Sequence, residues 1–401
     1  MSVAVDIHAD RYLASIAGEP HVFHCHHYNC FLQKSITDQS ALLDVKSLLT
    51  DAAAEVVYSE LTHLNAQSDT AQVLFGQLGF GVLDASALTP QGGNATVKGS
   101  HYALGWLSKF GKSSAPVCFF NAGFIEAAAR QKFGAAFKCV ETACVANGAA
   151  ACTYEVKPGG RPSLPASVGL GKLTDYAPRP AKATQTSVDE SAIIQACGGL
   201  PLAGTAEGKI DAFGVALTRQ YSNYYNLISY RFDQQMAAVA GEAATTAARM
   251  LLVEAGQVCA FHTFGGIMES AEWEGLIKPM IKTTEDWVYG MVSVVNALGW
   301  GRWSVAALEP GQRLELVVDG SYESNGYLAA FGSSTTPRCH LATGGTSGLM
   351  NLIYHANIMS RPALTPALYE KTFAEGRFFV AREVECRTMG AAACRVVAER
   401  L

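Results

Sequence analysis

Four residues near the middle of the chain, Cys118, Glu141, Cys144 and Cys152, combine three soft thiolate donors with one carboxylate. That donor set suits Zn²⁺, which accepts sulfur and oxygen in a tetrahedron and has no geometric preference of its own. Three of the four lie in FKCVETACVANGAAACTYEV, which reads as a hairpin: a strand over 137–141, a small-residue turn over 143–151 and a return strand over 152–156. The turn brings Glu141, Cys144 and Cys152 together, and Cys118, at the start of a candidate helix, supplies the fourth ligand. The spacing Glu-x-x-Cys-x₇-Cys recurs as Glu383, Cys386 and Cys394, with Cys339 upstream. The expected gain is structural, because a metal that ties hairpin to helix adds its binding energy to folding. Isolated thiols such as Cys197 and Cys259 are read as core residues.

A second constellation is HVFHCHHYNCF at 21–31, which holds four of the ten histidines. Three readings stand beside one another: contact with a ligand in a pocket, a second metal site, and no special role. A helix starting near His26 puts His26 and Cys30 on one face and turns His27 elsewhere. His24 joins His26 only if the strand continues through both. A second metal, iron, copper or zinc, would recruit His24, His26 and Cys30, with His101 more distant. If the protein is an enzyme, His24, His26, His27, Tyr28 and His101 are the candidate catalytic groups.

These residues belong to a repeat. The segment 78–118 matches 298–339 with one residue gained, ETACVANGAAAC matches EVECRTMGAAAC, and HHYNCFLQ lies opposite NYYNLISY. Domains are expected at 15–157 and 210–401. Between them, 158–209 carries five prolines from Pro158 to Pro180 and reads as a linker wrapped over a surface, with a short helix over 188–197. Each copy reads as a strand leading into a helix near His27 or Tyr224, a second helix over 41–64 or 236–255, two strands, a helix after the first metal cysteine and the hairpin. That is an α+β fold with an antiparallel sheet packed against helices. The second copy carries an insertion near 350–376.

The chain has 401 residues, is 49% hydrophobic and has a net charge of -5, which fits a globular protein and disfavours nucleic acid as a partner. No uninterrupted apolar run of bilayer length and no secretory leader are apparent, so a cytoplasmic protein is expected. Eleven cysteines then suggest thiols or metal ligands more than disulfides.

With its cysteine sets and the phrase CRTMGAAACRVV, the chain resembles the vinyl-4-reductase-like domain family, most strongly over 98–156 and 380–398. The family occurs in proteins linked to bacteriochlorophyll synthesis and in sensory modules of phenol-responsive activators, and its fold is related to subunits of vesicle-tethering complexes. The resemblance implies zinc on Cys118, Glu141, Cys144 and Cys152, and a small apolar ligand cavity near the zinc hairpin. No ATPase or helix-turn-helix module follows, so a transcriptional role is not expected.

Two functions compete. The first is a zinc-containing protein that binds a small aromatic or hydrocarbon-like molecule, the two copies packing as an internal pseudo-dimer, with a protein partner or homodimer to pass on the effect. The second is a metal-dependent enzyme, an oxidoreductase, centred in the first domain. No dinucleotide fingerprint, phosphate loop, haem motif or triad order supports the second.

Overall fold

The computed structural model describes residues 2–66, 69–170, 176, 178–181 and 183–401. Strands β1 (Asp6–His8) and β2 (Leu13–Ile16) lead into β3 (Glu19–Cys25), all seven residues of which are buried. Cys25 then caps α1 (His26–Thr37), its sulfur accepting from the Tyr28 amide at 3.5 Å. Helix α2 (Val45–His63) begins on Asp44, whose carboxylate accepts from the Ser47 amide. There follow α3 (Thr70–Gln77), β4 (Val82–Asp84), β5 (Gly93–Lys98), α4 (His101–Phe110), α5 (Phe119–Phe133), β6 (Phe137–Ala143) and β7 (Cys152–Pro158).

After the linker helix α6 (Glu190–Gly198), the series repeats. It runs β8 (Ile210–Ala212), β9 (Val215–Tyr221), α7 (Ser222–Cys259), a π-helical turn over 260–264, α8 (Gly265–Glu269), α9 (Glu285–Ala297), β10 (Arg302–Glu309) and β11 (Arg313–Asp319). Helices α10 (Tyr322–Phe331), α11 (His340–Met350) and α12 (Pro366–Tyr369) precede β12 (Phe379–Glu385) and β13 (Cys394–Arg400).

Two four-stranded sheets have the same antiparallel order, β4-β5-β7-β6 and β10-β11-β13-β12. A third sheet, β1-β2-β3-β9-β8, joins the halves, because β3 pairs with β9. One apolar core runs through both halves. In each, a glycine lets two helices touch: a Cβ on Gly123 of α5 would sit 2.3 Å from Thr50 O, and one on Gly344 of α11 would sit 2.0 Å from Val253 O. The α+β class with antiparallel sheets is as the pattern of elements indicates.

The helix expected over 236–255 is different. Residues 222–259 are helical apart from Gly241, whose φ of 76° breaks the rod. Arg249 Nε donates to Asp233 Oδ1 at 2.7 Å. Sixteen residues of straight helix would span about 24 Å, so α7 is folded back into a helical hairpin, the counterpart of α1 and α2. This matters for a second expectation. The segment Ser222–Glu269 is apolar and long enough, by composition, to cross a membrane, but the fold-back at Gly241 means that it is not one rod.

The linker is held to the surface. Arg161 pairs with Glu55 at 2.5 Å, Leu170 N donates to Gly18 O at 2.9 Å, and Thr186 Oγ1 donates to Asp286 Oδ1 at 2.5 Å. Positions 171–175, 177 and 182 of the expected linker lie outside the described residues.

Candidate metal centres and junction cleft

In a strand, residues three apart point to opposite faces, so Glu141 and Cys144 cannot converge from a regular β6. The pairing of β6 with β7 shifts between Glu141 and Ala143, and that of β12 with β13 shifts between Glu383 and Glu385. Each bulge adds one residue and resets the parity, which turns carboxylate and thiol to the same side.

The first set gathers around Cys118 at the start of α5. Cys118 Sγ lies 3.8 Å from both Cys144 Sγ and Cys152 Sγ, and the latter two are 3.9 Å apart. Tetrahedral zinc with bonds of about 2.3 Å sets its sulfurs about 3.8 Å apart, so the thiols already have the spacing. Glu141 Oε2 accepts from the Cys118 amide at 2.8 Å, and its Oε1 accepts from Tyr154 OH at 3.4 Å. In the second set, Cys339 Sγ is 3.4 Å from Cys394 Sγ and the Cys339 amide donates to Glu383 Oε2 at 2.8 Å. Val396 stands opposite Glu383 where Tyr154 stands opposite Glu141, which leaves Glu383 Oε1 buried without a partner. In both sets the four donor atoms lie within 4.8 Å of one another.

Burial pushes the Cys118 and Cys339 thiols well up, while hydrogen bonds from their neighbours draw Cys144 and Cys386 down. Burial, then the neighbouring thiolate, raises Glu141 and Glu383 to about 8. A crowded, desolvated set of this kind is relieved by a divalent cation that displaces its protons. The residues fit a metal; they do not name one.

The histidine cluster splits, because strand geometry ends at Cys25 and helix geometry begins at His26. His24 is fully buried between the rings of Tyr28 and Trp300, at 4.3 and 4.4 Å, with Tyr225 and Tyr322 edge-on. Tyr322 OH is 3.3 Å from His24 Nε2, and burial holds this imidazole well below its usual range. His26 and Cys30 do share a face of α1 and abut Gly105 of α4, but His26 Nδ1 donates to Ala216 O at 3.3 Å and Cys30 Sγ to Tyr102 O at 3.6 Å. His101 Nε2 is occupied by Asn29 Nδ2 at 2.9 Å. The expected second metal on His24, His26 and Cys30 is therefore not formed: among the described residues only the two cysteine-glutamate sets gather their donors.

His27 turns the other way and stacks on His262, ring centres 4.1 Å apart and 12° from parallel. The pair lines a cleft of ≈ 600 Å³ with Phe31, Lys109, Phe110 and Tyr369. Helices α1 and α4 of the first half form one wall; the second half's π-helical turn and Tyr369 of its insertion form the other. Burial pulls His262 down to about 3 and Lys109 to about 8, and His27 lower still. The pocket was expected inside each half near the metal hairpin; this cleft lies where the halves meet. His262, Lys109 and Tyr369 escaped the sequence reading. A lone His in AFHTF carries no spacing signal, and the π-helical turn that re-aims it, a feature frequent at functional sites, has no sequence signature.

No curated protein matches the chain. Among solved structures, the crystal structure of the phenol-responsive sensory domain of the transcription activator PoxR with phenol aligns at 15% identity and a TM-score of 0.37, covering 52% of this chain and 89% of that one. The family model of the vinyl-4-reductase domain matches residues 106–158, the stretch that contains Cys118, Glu141, Cys144 and Cys152.

Proposed function

We propose that this is a binding protein for a small aromatic or hydrocarbon-like molecule, held in the junction cleft between two copies of one domain whose hairpins are each clipped by zinc. The observation that carries the reading is the cleft itself: ≈ 600 Å³, with Phe31, Phe110, Tyr369 and two stacked neutral imidazoles as its walls. Its volume lies within the range of about 300–1,000 Å³ common to small-molecule sites. Zinc would be held by Cys118, Glu141, Cys144 and Cys152, and by Cys339, Glu383, Cys386 and Cys394.

Domains at 15–157 and 210–401, joined by 158–209, follow from the same reading. The register of β3 on β9 supports an internal pseudo-dimer. Aligning HHYN with NYYN relates His26 to Asn223, Val22 to Arg219 and Phe23 to Gln220. Val22 pairs with Gln220, and Phe23 with Arg219, so each pair maps onto the other as an isologous contact requires. All eleven cysteines are free and buried, which supports the cytoplasm as the compartment. An oxidoreductase centred on His24, His26 and Cys30 is not part of the proposal, because those donors do not converge.

Burying on the order of 150 Å² of a phenol-sized ring yields about 4 kcal/mol, a Kd near 1 mM, and larger rings bind more tightly. Titration of the native chain with phenol and with 1-naphthol, followed by ligand-observed NMR, tests the reading. Ser108→Trp fills the cleft from a position on α4 that lines it and should abolish binding of both. Equal binding by native and variant chains refutes the cleft as the site.

A further inference from the structure

The N-terminal strands and the linker lie outside both repeated units, yet they build a second cavity. Its volume is ≈ 460 Å³. Val5 and Leu13 come from the N-terminal segment, Ile194 and Leu202 from the linker, and Phe23 and Leu298 from the two halves. Within this apolar lining, Arg219 is the one permanently charged side chain.

Arg219 is placed by the sheet. It is the cross-strand partner of Phe23 in the β3–β9 ladder, and its guanidinium carbon sits 4.1 Å from the centre of that ring. The cation–π contact fixes the plane of the fork but takes up none of its N–H donors. Among the described residues no carboxylate pairs with it, and burial alone pulls it down to about 10. Other buried cations of the chain are answered: Arg338 and Arg249 by Asp233, Arg302 by Asp319, Arg231 by Glu55. The polar groups beside Arg219 in the cavity are engaged elsewhere. His8 Nε2 meets Ser15 Oγ at 3.0 Å, Tyr12 OH accepts from Arg179 at 2.6 Å, and the Asn296 side chain is bonded to Trp303 and Glu190. A partly desolvated guanidinium facing a cavity without an acceptor is a costly arrangement unless an anion arrives from outside.

We propose that this cavity is a binding site for an organic monocarboxylate with an apolar body, its carboxylate received by Arg219 and its hydrocarbon portion lying among Val5, Leu13, Leu202 and Leu298. A planar carboxylate matches the guanidinium fork in two parallel hydrogen bonds. The site is separate from the junction cleft and from both cysteine sets, and it gives the N-terminal strands and α6 a role that the repeat alone does not.

The test is calorimetric titration of the full chain with octanoate and with 1-octanol, which share a chain length and differ in charge. The native protein should bind octanoate saturably, and Arg219→Met should weaken octanoate about 10- to 100-fold, the scale of a charge-assisted hydrogen bond, while changing octanol less than about threefold. Equal octanoate affinity in native and variant chains, parallel loss of both probes in a folded Arg219→Met, or no saturable octanoate binding by the native chain overturns the proposal. Ala297→Phe narrows the cavity and leaves Arg219 in place. It should lose both probes, so unchanged binding there places the carboxylate elsewhere, whatever the folding of Arg219→Met.

Discussion

Gly105 offers a quantitative check on the contact that sets the first wall of the cleft. It lies in α4, one turn before the helix end that carries Ser108, Lys109 and Phe110. In an exposed helix, Gly→Ala stabilises by about 0.5–1 kcal/mol. Here a Cβ would stand 2.9 Å from Cys30 Sγ and 3.0 Å from His26 Cβ, and overpacking of that kind costs about 1–3 kcal/mol. The sign therefore reverses, and Gly105→Ala should destabilise by about 1 kcal/mol net. Removing the nearer obstacle should recover most of the helix gain, so the double variant Gly105→Ala/Cys30→Ala should show a coupling of about 1 kcal/mol or more against the two singles. Chemical denaturation of the four proteins, followed by near- and far-ultraviolet dichroism, reads both quantities. Stabilisation by Gly105→Ala alone, or additive behaviour with Cys30→Ala, would refute the α1–α4 packing and the position of the cleft wall that depends on it.

Metal content by plasma mass spectrometry should give about two zinc atoms per chain; Cys144→Ala and Cys386→Ala should each lose one, and His26→Ala/Cys30→Ala none. Loss of metal in the last variant, or retention in both cysteine variants, contradicts the assignment. Acid should weaken the fold through buried imidazoles. Burial pulls His101 down to about 3, whereas an unfolded chain titrates near 6.5, so its contribution is complete above about pH 6.5 and falls away as pH drops toward 3. At pH 5 that is about 2 kcal/mol relative to pH 7, and His101→Gln should flatten the denaturation difference between these pH values by that amount; an unchanged difference shows that His101 protonates in the native state. Asp233, held by Arg249 and Arg338 and nearly buried, closes the α7 hairpin, so Asp233→Ala should cost about 3–5 kcal/mol. A loss below about 1 kcal/mol in the same denaturation assay, the scale of an exposed pair, would mean that the hairpin does not depend on it.

The metal sets were legible because hairpin geometry fixes a short spacing, and because two copies with the same spacing leave little room for coincidence. The bulge that makes them work was implicit as well: Glu-x-x-Cys cannot share a face in a regular strand, so convergence required an extra residue. The strand-to-helix junction at Cys25 was also foreseen as the place where His24 must part from His26 and Cys30. What escaped the sequence was long-range. Helical periodicity runs through 222–259, and only Gly241 marks the reversal. The His27–His262 stack joins residues that no local pattern relates, and the lone state of Arg219 is visible only when its neighbours are placed around it.

The pairing of β3 with β9 explains why function should be asymmetric on a nearly symmetric frame. The local two-fold places Val22 where the other half has Arg219, and Tyr224 where the first has His27. Each of the two cavities therefore has, at the related position, a side chain of different chemistry: an aliphatic group in place of the guanidinium, a phenol in place of the imidazole. Packing tolerates these exchanges, since Val22 and Tyr224 are both buried, so the frame does not require the charged or imidazole member. The cysteine sets behave in the opposite way, with all four donors present in both halves. Groups that hold the scaffold are duplicated, and groups that face the cavities are not, which is the distribution expected if metal serves the fold and the unpaired polar residues serve ligands.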